Sequence, residues 1–287
     1  MTNHRSSVTA TLVSVARGIG LSKTLRDPAA SLFASSWVAR VLDMFDRENT
    51  AIDVARLTAR ALSLGVIDHN TVRMLVIDEY IRQWVREGCS QVVILGAGLD
   101  SRAWRMPELN SAVVYEVDHS ATQTFKAERT KRFAAKVVRP RLVPCDFMRQ
   151  SVGATLARAG FRSDAKACWL CEGVTPYLPP EQTARLLHET AAISASGSRW
   201  AFSYIAPPDG SSATLGRRLI GTFVKRLGEP AVGAIERQQM ANFAAAAGLL
   251  LLEDIGWSDW TSRVANYSSM PNLLRERLVV AGTPGVA

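Results

Sequence analysis

Several features that would point to particular protein classes are scarce in this sequence of 287 residues. It has only four cysteines, too few for the disulfide framework of a small secreted protein. No stretch approaches the roughly 18 consecutive apolar residues that a membrane helix needs. The first residues, MTNHRSSVTATL, lack the apolar run and cleavage site of a secretory signal. We therefore expect a cytoplasmic protein with no membrane span.

Two of the cysteines, Cys168 and Cys171, have the spacing of a metal-binding pair. No second CxxC or HxxxH pair completes a set of four ligands, and residues at odd spacing in an apolar strand point to opposite faces. Together with Cys89, these cysteines lie in or beside apolar segments, where a reduced thiol packs as a small hydrophobic group. We predict core packing and no bound metal.

The chain carries 34 Lys and Arg against 26 Asp and Glu, a formal charge of +8 that raises the question of nucleic acid. The basic residues are scattered, however, and only residues 126–136 are locally dense. Glu128 interrupts that group, which is typical of the solvated face of a helix. We predict no nucleic-acid partner, and the excess positive charge favours an acidic small molecule.

The first part of the chain has apolar residues three and four apart, which predicts helices at Val8–Ile19 and over residues 29–45, 51–63 and 71–87. From residue 91 the pattern changes to short apolar runs separated by helical segments. Such runs occupy residues 91–95, 112–117, 142–145, 167–171, 200–205 and 249–254. Strand and helix in alternation predict an α/β fold with a mostly parallel central sheet and helices on both faces.

We predict two parts: a helical N-terminal cap over residues 1–88 and an α/β core over residues 89–287. Residues 206–226 interrupt the alternation with the sequence APPDGSS and a basic amphipathic segment. An insertion after a late strand lies at the carboxyl edge of the sheet, where open α/β folds bind ligands. We therefore expect a lid over about residues 206–245.

The first predicted strand ends in Gly96-Ala97-Gly98. Glycines at such a turn let the backbone bend sharply and approach a ligand closely. The next strand ends in Asp118, twenty positions after Gly98, where a carboxylate can accept hydrogen bonds from the two ribose hydroxyls of a nucleoside. The loop and the acid together predict a site for an adenosine-containing cofactor.

Two residues of the loop distinguish between such cofactors. A nicotinamide cofactor has a pyrophosphate and favours a third glycine, but that position is Ser101. Asp100 adds a negative charge that would repel pyrophosphate and tolerate a sulfonium and an amino group. Both residues favour S-adenosylmethionine over NAD, although an NAD(P)-dependent oxidoreductase remains an alternative.

The next two strands end in further polar groups. Asp146 can accept from the adenine amino group, and Phe147 beside it can pack on the base. Glu172 ends the fourth strand, close to where the methionine amino group and the methyl group should lie. Asp146 or Glu172 taken singly is equally consistent with a helix cap, but four consecutive strands with suitable ends are hard to obtain by chance.

The sequence resembles the leucine carboxyl methyltransferase-like family, and within it bacterial S-adenosylmethionine-dependent methyltransferases of mycobacterial type. The resemblance begins near Thr71 and rests on LGAGLDSR (residues 95–102), YEVD (115–118), PCDF (144–147) and EGVTPYL (172–178). It implies a Rossmann-like class I methyltransferase fold and S-adenosyl-L-methionine as the methyl donor, with S-adenosyl-L-homocysteine as the product.

The resemblance also implies residue roles. Gly96, Ala97 and Gly98 would line the methionine moiety, Asp118 would hold the ribose, and Asp146 with Phe147 would hold the adenine. Arg73 would bind the cofactor carboxylate, as the first arginine of the family's R-T-R pattern. The second arginine of that pattern is Leu75 here, so Arg17 is a possible supplement.

The acceptor end is less defined. Tyr177 matches a family tyrosine near the methyl acceptor, although a buried structural tyrosine is an equal alternative. His119 follows Asp118, so we place it among the cofactor-binding residues, and it is the only histidine near the predicted site. The expected activity is O-methylation of a carboxylate or hydroxyl on a small molecule or lipid-like acid. A non-catalytic protein that binds the cofactor is the alternative.

Overall fold

The computed structural model describes residues 8–19, 27, 30–44, 50–63, 65–131, 139–207, 233–264 and 274–284. Within these segments lie ten α-helices: α1 (Val8–Ile19), α2 (Ser36–Met44), α3 (Thr50–Leu62), α4 (Val66–Arg86), α5 (Arg102–Arg105), α6 (Ser120–Thr130), α7 (Val152–Arg158), α8 (Pro180–Ala192), α9 (Arg237–Ala246) and α10 (Trp257–Arg263). The strands are β1 (Gln91–Leu95), β2 (Val113–Asp118), β3 (Arg141–Pro144), β4 (Ala167–Cys171), β5 (Arg199–Ile205), β6 (Leu250–Ile255) and β7 (Glu276–Gly282). None of the helices described here is long and apolar enough to cross a bilayer.

The seven strands form one sheet in the order β3-β2-β1-β4-β5-β7-β6. Strands β1 to β5 pair in parallel, and β7 runs antiparallel to both of its neighbours. The order reverses at β1, which is the topological switch point where open α/β sheets bind ligands. The predicted mostly parallel sheet is confirmed.

The sequence pattern located six of the strands and missed β7. Its residues ERLVVAG are buried along nearly their whole length, so they show no alternation of apolar and polar side chains. Because β7 is antiparallel, its first residue, Glu276, lies opposite Ile205 at the end of β5. That places Glu276 at the edge where the parallel strands end.

Helices cover both faces of the sheet. One face packs against α7, α8 and α9 through residues such as Trp169, Trp200 and Phe202. The other packs against α4, α5 and α10 through residues such as Ile94 and Leu170. Cys168 and Cys171 belong to opposite faces and are buried, as core packing requires. Among the described residues, no three His, Cys, Asp or Glu side chains are grouped to hold a metal ion.

Helix α4 begins at Val66, five residues before the predicted start, because its first turns are buried rather than capped in solvent. His69, which precedes the predicted start, is 1% exposed inside the helix, and Asp68 pairs with Arg60 of α3. Much of α4 packs directly on the sheet, whereas α1 lies over the carboxyl edge. The division at residue 88 remains a prediction.

The predicted lid lies largely outside the described residues, between 208 and 232. The end of that predicted segment belongs instead to α9, which buries Met240 and Ala244 in the core against the sheet. Residues 237–245 are therefore part of the helical layer.

The basic segment at residues 126–136 begins with a side chain that is not solvated. Lys126 is 1% exposed, and its Nζ lies 2.5 Å from Oε2 of Glu116. The ammonium also lies over the rings of Phe33 and Trp104, at 5.4 and 5.0 Å from their centroids. This buried pair joins the segment at residues 30–34 to α5 and α6. Residues 132–138 lie outside the described part of the chain.

Burial raises the pKa of Glu116 from 4.5 to about 7, although Lys126 opposes the shift. A carboxyl group whose pKa is raised by folding binds more protons in the native state, so it contributes stability that is lost as the pH rises between those two values. We predict that Glu116→Gln gains roughly 2 to 3 kcal/mol relative to wild type between about pH 5 and about pH 8. Urea unfolding of both proteins across this range measures the difference, and a constant difference would contradict the assignment.

Candidate functional site

A cavity of about 600 Å³ lies at the carboxyl edge of the sheet, roofed by α1. Its walls come from the ends of β1, β2, β3 and β4 and from the segments that follow them. All ten residues predicted for the site line this cavity: Arg73, Gly96, Ala97, Gly98, Asp118, His119, Asp146, Phe147, Glu172 and Tyr177. The volume is within the range of roughly 300 to 1,000 Å³ that is typical of small-molecule sites.

The glycine loop requires glycine at two positions. Gly96 and Gly98 have φ angles of +63° and +49°, a left-handed conformation that other residues adopt at a cost of about 1–2 kcal/mol. A Cβ on Gly96 would lie 2.3 Å from Cγ2 of Val174. A Cβ on Gly98 would lie 3.5 Å from Cβ of Ala10, on the roof helix. The loop is therefore packed between the β4 end and α1.

Asp118 is held by the backbone at the end of β2. The N–H of Gly98 donates to its Oδ2 at 2.5 Å, and the N–H of His119 donates to its Oδ1 at 2.6 Å. Burial raises the pKa of Asp118, and these backbone hydrogen bonds oppose the shift. A carboxylate has about four lone-pair positions, so each oxygen can still accept a hydrogen bond from a ligand hydroxyl.

The end of β3 supplies a polar and an aromatic group side by side. Asp146 caps its own turn, because Oδ1 accepts from the N–H of Met148 at 2.9 Å. The local cap considered for Asp146 is therefore present, and the side chain lines the cavity as well. Phe147 is 9% exposed, and its carbonyl accepts from the side-chain amide of Gln182 on α8. This hydrogen bond holds the backbone of Phe147, which lines the cavity.

His119 and Tyr177 differ in how the structure fixes them. His119 precedes α6 as its N-cap, and its Nδ1 accepts from the N–H of Ala121 at 3.3 Å. Tyr177 lies in a 3₁₀ turn at Thr175–Tyr177, half-buried, and lines the cavity after the β4 end.

Glu172, at the end of β4, is surrounded by three guanidinium groups. Oε1 contacts Arg17 of α1 and, at 3.0 Å, Nε of Arg73 of α4. Nη2 of Arg102 lies 2.8 Å from Oε2. Burial alone would raise the pKa of Glu172, but Arg17, Arg102 and Arg73 outweigh it and hold the pKa well below its ordinary value. The side chain is therefore a buried carboxylate anion.

The arginines extend this cluster behind the cavity. Arg102 also contacts Asp78 at 2.7 Å and Asp100 at 2.5 Å, and Arg105 contacts the same Asp78. Five carboxylates and four guanidinium groups form this network: Asp27, Asp78, Asp100, Glu172 and Glu276 with Arg17, Arg73, Arg102 and Arg105. Pairing with opposite charges is what makes so many buried charges tolerable.

Four polar atoms of this network are buried without a hydrogen-bond partner among the described atoms: Nε of Arg17, Nη2 of Arg102, Oε2 of Glu172 and Oε1 of Glu276. Nη2 of Arg102 lies close to Oε2 of Glu172, but the contact lacks the alignment of a hydrogen bond. Arg17 and Glu172 also line the cavity. A donor and an acceptor of opposite charge thus lie in the wall at the same end of the cavity.

Asp100 was predicted to place a negative charge in the loop that would repel pyrophosphate. In the structure this charge is paired with Arg102, whose backbone N–H donates to Oδ1 at 2.8 Å and whose Nη1 binds Oδ2. Ser101 is buried, and its hydroxyl donates to Asp27. Charge in the loop therefore gives no argument against a pyrophosphate.

One wall of the cavity was largely missed by sequence reasoning. Ala10, Val13, Ser14 and Arg17 of α1 line it, and of these only Arg17 had been considered. Their spacing of three, one and three residues places them on one helix face. The spacing of these residues on one face of α1 was the signal in the sequence. No local pattern, however, shows that this face covers the glycine loop at a strand end.

The close packing of the glycine loop generates a test. We predict that Gly96→Ala weakens binding of S-adenosyl-L-homocysteine by at least roughly tenfold, because Cβ must displace Val174 and shift the loop. Gly248→Ala is the matched control, since Gly248 has a φ of +74° but no atom within 4 Å of the added Cβ. Gly248→Ala should lose only the stability that a left-handed backbone conformation costs a residue other than glycine.

Calorimetric titration measures the affinity, and urea unfolding measures the stability of each variant. Adding Val174→Ala to Gly96→Ala should recover part of the lost affinity. Equal affinities for Gly96→Ala and Gly248→Ala would show that the loop does not shape the site.

The chain was compared with known proteins. A relative from Mycobacterium avium strain 104, a provisionally named S-adenosyl-L-methionine-dependent methyltransferase, is 38% identical over 183 residues, which cover 63% of this chain and 57% of the relative. One of the same name from Mycobacterium tuberculosis H37Rv is 35% identical over 226 residues, 75% of this chain and 70% of the relative. This chain thus spans 57% of the length of the first relatives.

A solved structure from Thermobifida fusca, a provisionally named methyltransferase, has the same fold. Its TM-score is 0.56 at 12% identity, and the likeness covers 98% of this chain and 96% of that one. The sequence profile described as leucine carboxyl methyltransferase matches residues 10–191. The chain therefore belongs to the leucine carboxyl methyltransferase family, which confirms the family and the fold predicted from its sequence.

Proposed function

We propose that this chain is an O-methyltransferase that transfers a methyl group from S-adenosylmethionine to a carboxylate of a small molecule or lipid-like acid. The observation that carries the proposal is the division of the cavity into one end with Asp118, Asp146 and Phe147 and another, charged end with Arg17 and Glu172. The nicotinamide alternative is not proposed, because the family transfers methyl groups. A hydroxyl acceptor is the second candidate for the same site.

The charged end fits the amino-acid part of the donor. That part is a zwitterion, with a carboxylate and an ammonium and no net charge. Nε of Arg17 is a buried donor without a partner in the described part of the chain, and Oε2 of Glu172 is a corresponding acceptor. We assign the carboxylate to Arg17 and the ammonium to Glu172. Arg73, the residue first expected to bind the carboxylate, already donates to Glu172, Glu276 and Asn70.

The other end fits the nucleoside. Asp118 would accept from the ribose hydroxyls, since its two oxygens each have only one backbone donor. Phe147 would pack on the adenine, and Asp146 beside it would accept from the amino group. Gly96 and Gly98 would pass beside the donor between these two ends, because a glycine has no side chain of its own to hold a ligand away from the backbone.

The donor supplies an electrophilic methyl group on a sulfonium. The work left to the protein is to hold donor and acceptor at attack distance and to keep water out. Helix α1 covers the cavity and serves both purposes through Ala10, Val13 and Ser14. A carboxylate acceptor is already ionised above about pH 5, so no proton has to move. This agrees with His119, whose Nδ1 is engaged by the backbone.

The acceptor would lie beyond the charged end, where Tyr177 and Leu178 follow the β4 end. Tyr177 is proposed to orient it. The formal charge of +8 favours an acidic acceptor, because a positive protein attracts anions from solution.

The assignment of Asp118 tests the site directly. We predict that Asp118→Ala weakens S-adenosyl-L-homocysteine binding by roughly tenfold or more, because hydrogen bonds to a charged partner contribute about 1.5–3 kcal/mol. Asp164→Ala is the matched control, since Asp164 is exposed and pairs only with the exposed Arg162 among the contacts described. Calorimetric titration gives both affinities.

Binding and transfer can then be separated. If wild type does not bind the ligand, or Asp118→Ala binds it unchanged, the site assignment is wrong. Labelled donor offered with a panel of carboxylic acids and phenols measures transfer. Tight binding with no transfer to any acceptor would favour a non-catalytic cofactor-binding protein.

A further inference from the structure

Glu276 is a buried carboxylate whose place in the chain is far from the site motifs. It is the first residue of β7 and lies opposite Ile205, at the edge where the parallel strands end. Its side chain is 7% exposed and does not line the cavity. A carboxylate in this position must have strong partners to remain buried.

Those partners lead to the site. Oε2 of Glu276 lies 2.6 Å from Nε2 of His69 and also contacts Nη1 of Arg73. Burial would raise the pKa of Glu276, but Arg73 and His69 lower it to about 2. Arg73 in turn donates from Nε to Glu172 at 3.0 Å. Contacts therefore run from His69 through Glu276 and Arg73 to Glu172.

His69 is itself fixed in place. Its ring lies between Trp257 and Trp260, with centroids at 6.0 and 5.4 Å. Burial lowers the pKa of His69, so the ring is neutral at neutral pH. Because Glu276 is an ionised acceptor, Nε2 of His69 carries the proton and donates it. His69 thus holds the carboxylate without adding charge.

The contacts of Arg73 with Glu276 and Asn70 leave it one hydrogen bond for Glu172. An arginine and a carboxylate that are left to themselves favour a bidentate pair, with two parallel hydrogen bonds. Arg73 instead gives Glu172 a single hydrogen bond from Nε to Oε1, while Nη1 is bound to Glu276 and Nη2 donates to Asn70 at 3.1 Å. Oε2 of Glu172 receives no hydrogen bond from Arg73, and Nη2 of Arg102 approaches it to 2.8 Å without the alignment of a hydrogen bond.

We propose that Glu276, supported by His69, is a positioning residue that holds Arg73 in its single hydrogen bond to Glu172 and so leaves the hydrogen-bond capacity of Oε2 to the amino-acid end of the donor. This proposal rests on the proposed function, which assigns Oε2 of Glu172 to the donor's ammonium. It gives β7 a part in cofactor recognition.

The experiment compares two ligands in Glu276→Gln. S-adenosyl-L-homocysteine has the amino-acid end, and 5′-methylthioadenosine has the same nucleoside without it. Glutamine keeps the shape of the side chain but removes the charge that holds Arg73. Affinity for S-adenosyl-L-homocysteine should fall by roughly tenfold, the effect of one charged hydrogen bond. Affinity for 5′-methylthioadenosine should stay within about twofold.

Two further variants keep the test decisive. His69→Phe preserves a ring between the two tryptophans and removes the hydrogen-bond donor to Glu276. It should therefore change the ratio of the two ligand affinities in the same direction as Glu276→Gln. This variant replaces Glu276→Gln in the test if that protein does not fold. Glu253→Gln is the matched control, because Glu253 is a carboxylate on neighbouring β6 that pairs with Tyr80 and Arg263. It should leave both affinities unchanged.

A double variant shows whether Glu276 acts through Arg73. In an Arg73→Met background, Glu276→Gln should cause no further loss of S-adenosyl-L-homocysteine affinity. Equal losses for both ligands, or no loss for either, would overturn the positioning role. If wild type instead binds the two ligands equally well, the proposed amino-acid site fails, whatever the variants do.

Discussion

The charge on Glu172 is the constraint around which the site is built. A single buried carboxylate would take up a proton, yet Arg17, Arg73 and Arg102 keep it ionised. These arginines come from the roof helix α1, the core helix α4 and the turn after the glycine loop. Holding one anion thus brings three separate parts of the chain to the same place.

The same pairing makes the arginines tolerable inside the protein. Each buried guanidinium of the network contacts at least one carboxylate. Arg102, which contacts Glu172, also forms ion pairs with Asp78 and Asp100. A network of paired charges can accept a zwitterion, because the zwitterion brings no net charge and offers a partner of each sign. This is a physical reason why the amino-acid end of the donor suits this cavity, independent of the motifs.

The parts of the site that the sequence predicted are those fixed by local pattern. Gly96 and Gly98 follow one predicted strand, and Asp118 ends the next. Because parallel strands place their carboxyl ends at one edge of the sheet, this pattern alone predicts that these residues lie close together. The predicted residues accordingly surround one cavity. The pairing of Asp100 with Arg102 was not predicted, because residue type alone does not reveal the two contacts between them.

The parts that the sequence could not predict depend on contacts between distant residues. Arg17 and Glu172 are 155 positions apart, and His69 and Glu276 are 207 apart. Nothing in the pattern around Glu276 distinguishes it from a surface carboxylate at a strand start. Only the antiparallel return of β7 brings it to the edge where the parallel strands end.

The central claim is that the charged end of the cavity is prepared for the amino-acid end of the donor. A crystal structure of the complex with S-adenosyl-L-homocysteine tests this most directly. We predict the ligand carboxylate within hydrogen-bond distance of Nε of Arg17 and the ammonium at Oε2 of Glu172. A ligand whose amino-acid end lies away from both residues would contradict the account.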